Sequence, residues 1–235
     1  MKQYFLGIEF GSTRIKAVLL DEKHAIVKSG DYTWKSSLEN GVWTYHMEDV
    51  QEGLRTAIRN LGELPGKISA MGVSGMMHGY LAFDKDWNLL APFRTWQNTM
   101  TGEAADKLTE AFGFNIPQRW SAAHLYQAVL NGEPHVKNIA HVTTLAGYVH
   151  YLLTGENVLG VGEASGMFPI DSETLTYDAA MLDKFDALMA KYGFDWNIRA
   201  VLPEVRTAGQ SAGLLTPSGS EYLGGLLPAG IPLCP

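Results

Sequence analysis

Apolar residues crowd three short runs, Tyr4 to Ile8, Ile15 to Asp21 and Ala25 to Trp34, and these strand-like segments predict consecutive strands. The first two flank Glu9-Phe10-Gly11-Ser12-Thr13-Arg14, a glycine-containing turn short enough to close a hairpin. The pattern then changes. Val50, Leu54, Ala57, Ile58 and Leu61 fall at helical spacing, predicting a helix from Glu48 to Leu61 with Glu48 and Asp49 at its positive end. Pro65-Gly66 breaks that helix, and Ile68 to Ser74 reads as a buried strand. Strand, strand, strand, helix, strand implies an α/β fold with a mixed sheet covered by helices.

Beyond Tyr80 the pattern becomes helical. Ala105, Leu108 and Phe112 share one face of a helix over Thr101 to Phe112, and further helices are predicted over Ala122–Leu130 and Ala146–Leu153. Asp178 suits an N-cap for a helix striped by Leu182, Phe185, Met189 and Tyr192 and ended by Gly193. From Leu202 onward Gly, Pro and Ser separate short apolar runs, a pattern of strands and turns. Leu226 to Pro235 reads as a turn leading into a strand, and the sequence stops inside it, which suggests a boundary within a longer protein.

At 235 residues the chain is long enough for one large domain or two small ones. A formal charge of -7 argues against nucleic acid or an anionic membrane as partner, so any anionic ligand must be met by a local arrangement of donors. The single cysteine, Cys234, excludes an internal disulfide and fits a reducing compartment. No apolar run approaches the roughly 18 residues that a membrane span needs, and no leader opens the chain. A soluble, cytoplasmic protein is expected.

Three local patterns fail on their chemistry. Gly62 to Lys67 is one residue short of a P-loop, and Ile68 stands where a magnesium-binding hydroxyl is needed. Gly72-Val73-Ser74-Gly75-Met76 has Met76 in place of the second glycine of a nucleophile elbow. The seven histidines include no pair at metal-ligand spacing.

One segment retains a coherent chemistry. In Ile8-Glu9-Phe10-Gly11-Ser12-Thr13-Arg14-Ile15-Lys16, a strand delivers a carboxylate and a glycine permits close approach. Two hydroxyl residues then supply donors, and the next strand returns a lysine. This is the inventory needed to hold metal-bound phosphates. The residues alone leave a plain hairpin with a polar turn open, since Gly-Ser-Thr turns are common.

The same run resembles the first phosphate-binding motif of the actin, hexokinase and FGGY kinase superfamily, and three further segments match FGGY carbohydrate kinases in order. Val73-Ser74-Gly75-Met76-Met77-His78-Gly79 resembles the Gly-Gln-Met-His-Gly segment of xylulokinases. Phe93-Arg94-Thr95-Trp96-Gln97-Asn98 resembles their Leu-Trp-Asn-Asp segment. Tyr151 to Glu156, followed by Glu163-Ala164-Ser165-Gly166-Met167, resembles the leucine-rich helix ending in Thr-Gly-Glu and the Ala-Ser/Ala-Gly-Thr turn beyond it. On these motifs, which span most of the chain, the sequence is identified as the N-terminal, sugar-binding domain of a xylulokinase-like FGGY carbohydrate kinase.

The resemblance implies a ribonuclease-H-like fold, a mixed five-stranded sheet with flanking helices and a helical insertion. It implies an ATP- and Mg2+-dependent transfer of phosphate to a hydroxyl of a small sugar, with a pentulose such as xylulose as the expected acceptor. Carried over by position, Gly11, Ser12, Thr13 and Lys16 would face the phosphates and Glu9 the metal. Met77, His78, Trp96, Asn98 and Arg119 would line the sugar site. The general base is expected after residue 235, in a C-terminal ATP-binding domain that is this domain's own partner, so the fragment alone is not expected to be active. The sequence departs from the pattern at Glu9 and Asn98, where the family has Asp, at Met76, where it has Gln, and at Ala122-Ala123-His124, where it has Ala-Pro-Lys. Those departures keep a non-catalytic sugar sensor as the alternative. The Met77-His78 and Trp96 segments and the helical insertion speak against an actin-like filament protein. Six tryptophans would serve a sugar-stacking wall or a homodimer surface equally well.

Overall fold

A computed structural model describes residues 2–235. The strand-like runs near the N-terminus become a sheet. In β1 (Gln3–Phe10) the side chains of Tyr4, Leu6, Ile8 and Phe10 are buried, and in β2 (Arg14–Leu20) those of Ile15, Ala17 and Leu19 are. The two pair antiparallel with Glu9 opposite Lys16 and Phe10 opposite Ile15, which leaves the charged pair on the other face. β3 (Ile26–Thr33) continues the antiparallel side. A hairpin follows, β4 (Ser37–Glu39) and β5 (Val42–Thr44), turned by Asn40 and Gly41 at φ 49° and 82°.

α1 (Met47–Arg59) buries Val50, Leu54, Ala57 and Ile58 on one stripe. It lies so close to β3 that a Cβ on Gly30 would collide with the Ala57 carbonyl and stand 2.9 Å from Asn60 Cβ. The chain then enters β6 (Lys67–Gly75), parallel to β1, giving the order β3-β2-β1-β6. Residues near the C-terminus occupy the fifth position. Met71 N–H donates to the Pro232 carbonyl and Cys234 N–H to the Met71 carbonyl, each at 2.9 Å, with Met71 and Leu233 bridged in parallel.

The helical insertion builds a second core beside the sheet. After β7 (Leu81–Phe83) come α2 (Gly102–Phe112), α3 (Ser121–Leu130) and β8 (His141–Thr143), which pairs with β7. α4 (Leu145–Thr154) returns to the sheet and packs on β6, ending at Gly155 in the left-handed region. β9 (Val158–Gly160), the short α5 (Val161–Ala164), α6 (Ala179–Met189), α7 (Ile198–Val201) and β10 (Glu204–Arg206) complete this half, with β9 and β10 parallel. One cluster centres on Phe10, Leu54 and Leu153, and the other on Leu108, Phe168 and Phe185.

Two boundaries differ from the sequence reading. The helix capped by Asp178 stops at Met189, and a 3-10 turn over Ala190–Tyr192 carries the stripe to Gly193. The tail read as strands and turns contains α8 (Pro217–Tyr222), capped by the Thr216 hydroxyl. Six residues carry less than two turns of periodicity, and the Gly and Ser content masks them. Gly219 is the contact there, because a Cβ would stand 2.9 Å from Leu153 Cα.

Gly30→Val should cost about 2–3 kcal/mol by overpacking the α1–β3 contact. Gly162→Ala, with open space around it, should stay within about 0.5 kcal/mol. Urea denaturation of both variants checks this.

Candidate functional site

β1 and β6 run parallel, so their C-terminal ends open on the same edge of the sheet, with Glu9 opposite Ser74 and Phe10 opposite Gly75. Met76 N–H then donates to the Phe10 carbonyl at 2.9 Å. The two segments singled out in the sequence therefore leave the sheet side by side. In parallel sheets such an edge is where ligands bind.

The first segment forms a shallow recess of about 380 Å³ lined by Glu9, Gly11, Ser12, Thr13, Arg14 and Lys16. Lys16 Nζ lies 3.2 Å from Glu9 Oε2 on the exposed face. Gly11 N–H is spent on the Arg14 carbonyl at 2.9 Å, whereas the Ser12 and Thr13 N–H groups have no acceptor among the described residues. The loop is braced from behind. Trp34 Nε1 donates to the Gly11 carbonyl and Tyr45 OH to the Ser12 carbonyl, both at 2.7 Å. A side chain on Gly11 would press against the Arg14 carbonyl at 3.1 Å and narrow the recess. Free N–H groups, two hydroxyls, a cation and a carboxylate fit phosphate oxygens and a hydrated divalent cation.

The second segment has an unusual backbone. His78 sits at φ 74°, followed by Gly79 at 104°, and a non-glycine residue there is held by its surroundings. Gly79 N–H donates to the Arg119 carbonyl at 3.2 Å, and the Ser121 hydroxyl donates to the Gly79 carbonyl. His78 Nδ1 lies 3.1 Å from the Gly166 carbonyl. A carbonyl only accepts, so Nδ1 carries the proton and Nε2 of the neutral ring is an acceptor. Burial lowers the His78 pKa, the Gly166 bond opposes that shift, and the Arg119 charge adds to it. The tight seat explains Gly166, where a Cβ would stand 2.7 Å from His78 Nδ1 and 2.9 Å from Met77 Cγ. Met77 is 38% exposed and Trp96 44%, two apolar surfaces left open to solvent.

Asn98 and Arg119 are placed differently from one another. Asn98 is buried with its amide committed to backbone. Oδ1 accepts from Trp43 N–H at 2.9 Å, and Nδ2 donates to the Trp43 and Thr95 carbonyls at 2.8 and 3.0 Å. It ties β5 to the segment carrying Trp96. Arg119 is exposed, meeting the His78 loop through its backbone carbonyl and its charge.

Sequence reading missed the polar group behind this loop. Buried Arg94 pairs with Glu133 and lies 5.4 Å over the Tyr80 ring, and Tyr80 OH bonds His135 Nε2 at 2.8 Å. Arg94 adjoins the Trp96 segment and Tyr80 the His78 loop, so the pair fixes both. Burial works to raise the Glu133 pKa, and the Arg94 guanidinium overcomes it, leaving the carboxyl below its ordinary range. His124 stacks on Tyr80 with neither ring nitrogen partnered among the described residues. Its burial, helped by Arg94, pushes its pKa down to about 3. Among the described residues no cluster of three or more metal-ligating side chains occurs.

The sequence model described as the FGGY family of carbohydrate kinases, N-terminal domain, matches residues 4–234. The chain belongs to the FGGY family of carbohydrate kinases. Glycerol kinase from Thermococcus gammatolerans is 25% identical, with 97% of this chain and 47% of that protein aligned. Among solved structures, the FGGY fold here superposes on gluconate kinase from Lactobacillus acidophilus with a TM-score of 0.82 at 18% identity, covering 99% of this chain and 47% of that one. Xylulose kinase from Rhodospirillum rubrum gives the same TM-score, 0.82, at 22% identity, covering 98% and 48%. The chain thus spans about half the length of the relatives it matches. The ribonuclease-H-like, actin/hexokinase-type FGGY fold expected from the sequence is the fold observed.

His124 fixes the sign of a pH effect. Its folded pKa lies below the ordinary 6.5, so the unfolded chain takes up the proton first and stability falls as pH drops from 6.5 toward 3. Denaturation midpoints of wild type and His124→Leu across that range should show a shallower acid slope in the variant, by up to about 1.4 kcal/mol per pH unit.

Proposed function

We propose that this FGGY chain is the acceptor-binding half of an ATP-dependent kinase that phosphorylates a hydroxyl of a small sugar or polyol. A C-terminal domain outside this chain would hold the nucleotide and supply the general base. The observation that carries this reading is the shared edge of β1 and β6, which sets the Glu9–Lys16 recess beside the Met77–His78 loop.

Each residue has a task there. Ser12 and Thr13 offer N–H and hydroxyl donors to phosphate oxygens, Lys16 balances their charge, and Glu9 takes the water shell of Mg2+. Bound Mg-ATP supplies the phosphoryl group. Met77 and Trp96 give the acceptor's carbons an apolar wall, and His78 Nε2 accepts from a sugar hydroxyl and orients it. Asn98 positions Trp96 through the Trp43 backbone rather than by touching the sugar. Arg119 lends its charge at the rim. The Met77-His78 pair favours a pentulose such as xylulose, and the family's glycerol and gluconate kinases set the other acceptor classes to try.

An ADP-release screen of the full-length protein with Mg-ATP against ketoses, aldoses, aldonates and polyols tests the reading. One acceptor should turn over, and His78→Ala should cut kcat/KM for it by about 10-fold or more. Absence of turnover across a broad panel with folded protein would replace the kinase by a sugar-sensing member of the family.

A further inference from the structure

Glu163 lies one turn from the His78 seat and has no part in the chemistry above. Gly166 N–H donates to the Glu163 carbonyl at 3.0 Å, so the two residues stand at the ends of one tight turn. Gly166 holds His78. Glu163 lines a separate recess of about 250 Å³ on the same edge of the sheet, shared with Ser74, His150 and Cys234. Ser74 is the register partner of Glu9 and lies two positions before Met76, where the loop to His78 begins, so this recess adjoins both halves of the site.

The polar groups there are unevenly satisfied. His150 Nε2 is bonded to the Ala212 carbonyl at 2.7 Å. Glu163 Oε1 is out of contact with solvent and has no hydrogen-bond partner among the described residues. The Ser74 side chain is exposed and makes no hydrogen bond among them either. A buried carboxyl oxygen without a partner costs stability, and a ligand hydroxyl reaching it would recover that cost. Burial raises the Glu163 pKa, with the Thr144 hydroxyl pulling the other way. A carboxyl oxygen accepts hydrogen bonds in either protonation state. Beside a serine hydroxyl, which donates and accepts, it complements the hydroxyls of a polyol.

We propose that Glu163 is a specificity-determining residue of the acceptor site, its carboxyl taking, with Ser74, a hydroxyl of the polyol that lies against Met77 and His78. Phosphorylation of that polyol rests on the kinase reading; its binding does not.

Calorimetric titration of the full-length protein with the sugar and polyol panel, run beside turnover, separates the two. Glu163→Leu removes the unpartnered Oε1 and puts an apolar group of similar size in its place, so it should melt close to wild type. It should bind the acceptor about 10-fold more weakly without moving KM for Mg-ATP. Glu163→Gln, which keeps a donor and an acceptor in place, should restore affinity to within about 3-fold. One deoxy analogue, lacking the hydroxyl that Glu163 holds, should bind wild type and Glu163→Leu alike. Equal acceptor affinity in wild type and Glu163→Leu overturns the proposal, as does a Leu variant that loses thermal stability while binding the polyol unchanged. A polyol that binds wild type, loses affinity in Glu163→Leu and is never phosphorylated supports Glu163 and overturns the kinase reading alone.

Discussion

The parallel pairing of β1 with β6, locked past the strand ends by the hydrogen bond from Met76 to the Phe10 carbonyl, is the constraint on which the site depends. It fixes the register in which Phe10 enters the core while Glu9 and Ser74 stay exposed. A slip of one residue would bury Glu9 and turn Phe10 to solvent, so the hydrophobic core enforces the placement of the polar groups. The same pairing sends two loops, more than sixty positions apart in sequence, out of one sheet edge.

Within that frame the site works by local means. The chain carries a net charge of -7, yet the recess at Gly11 to Lys16 presents N–H groups, hydroxyls and a cation. Close range suffices there, because a few oriented donors outweigh a screened long-range field. At the other end neutrality is the useful state. Burial disfavours charge on His78, and its bond to Gly166 selects the tautomer whose free nitrogen accepts. Behind it, Arg94 and Glu133 are sustainable in the interior only together, since losing one would strand the other's charge.

Much of this was legible in the sequence because strong periodicity reports burial. Tyr4 to Phe10 and Val50 to Ile58 reveal one buried face each, and those elements lie where the pattern put them. The Glu9–Lys16 and Met77-His78 runs were found by composition and resemblance, and their adjacency came only from the sheet. Elements of three to six residues, such as β4, β5, β7 and α8, hold too few positions for a period to show. Asn98 could be read as a sugar ligand because nothing local reveals that its amide faces Trp43, 55 positions away. Nothing local marks Arg94 as buried either. Its partner Glu133 is 39 positions distant, and long-range polar pairs leave no periodic trace.

The central claim is that one sheet edge holds phosphate and acceptor together. A crystal structure of the full-length protein with a non-hydrolysable Mg-ATP analogue and its acceptor tests it most directly. The account predicts the terminal phosphate at Ser12 and Thr13, and the acceptor against Met77 and His78 with a hydroxyl directed at that phosphate. An acceptor bound elsewhere on the domain, or a terminal phosphate that never reaches the Gly11–Lys16 loop, would contradict it.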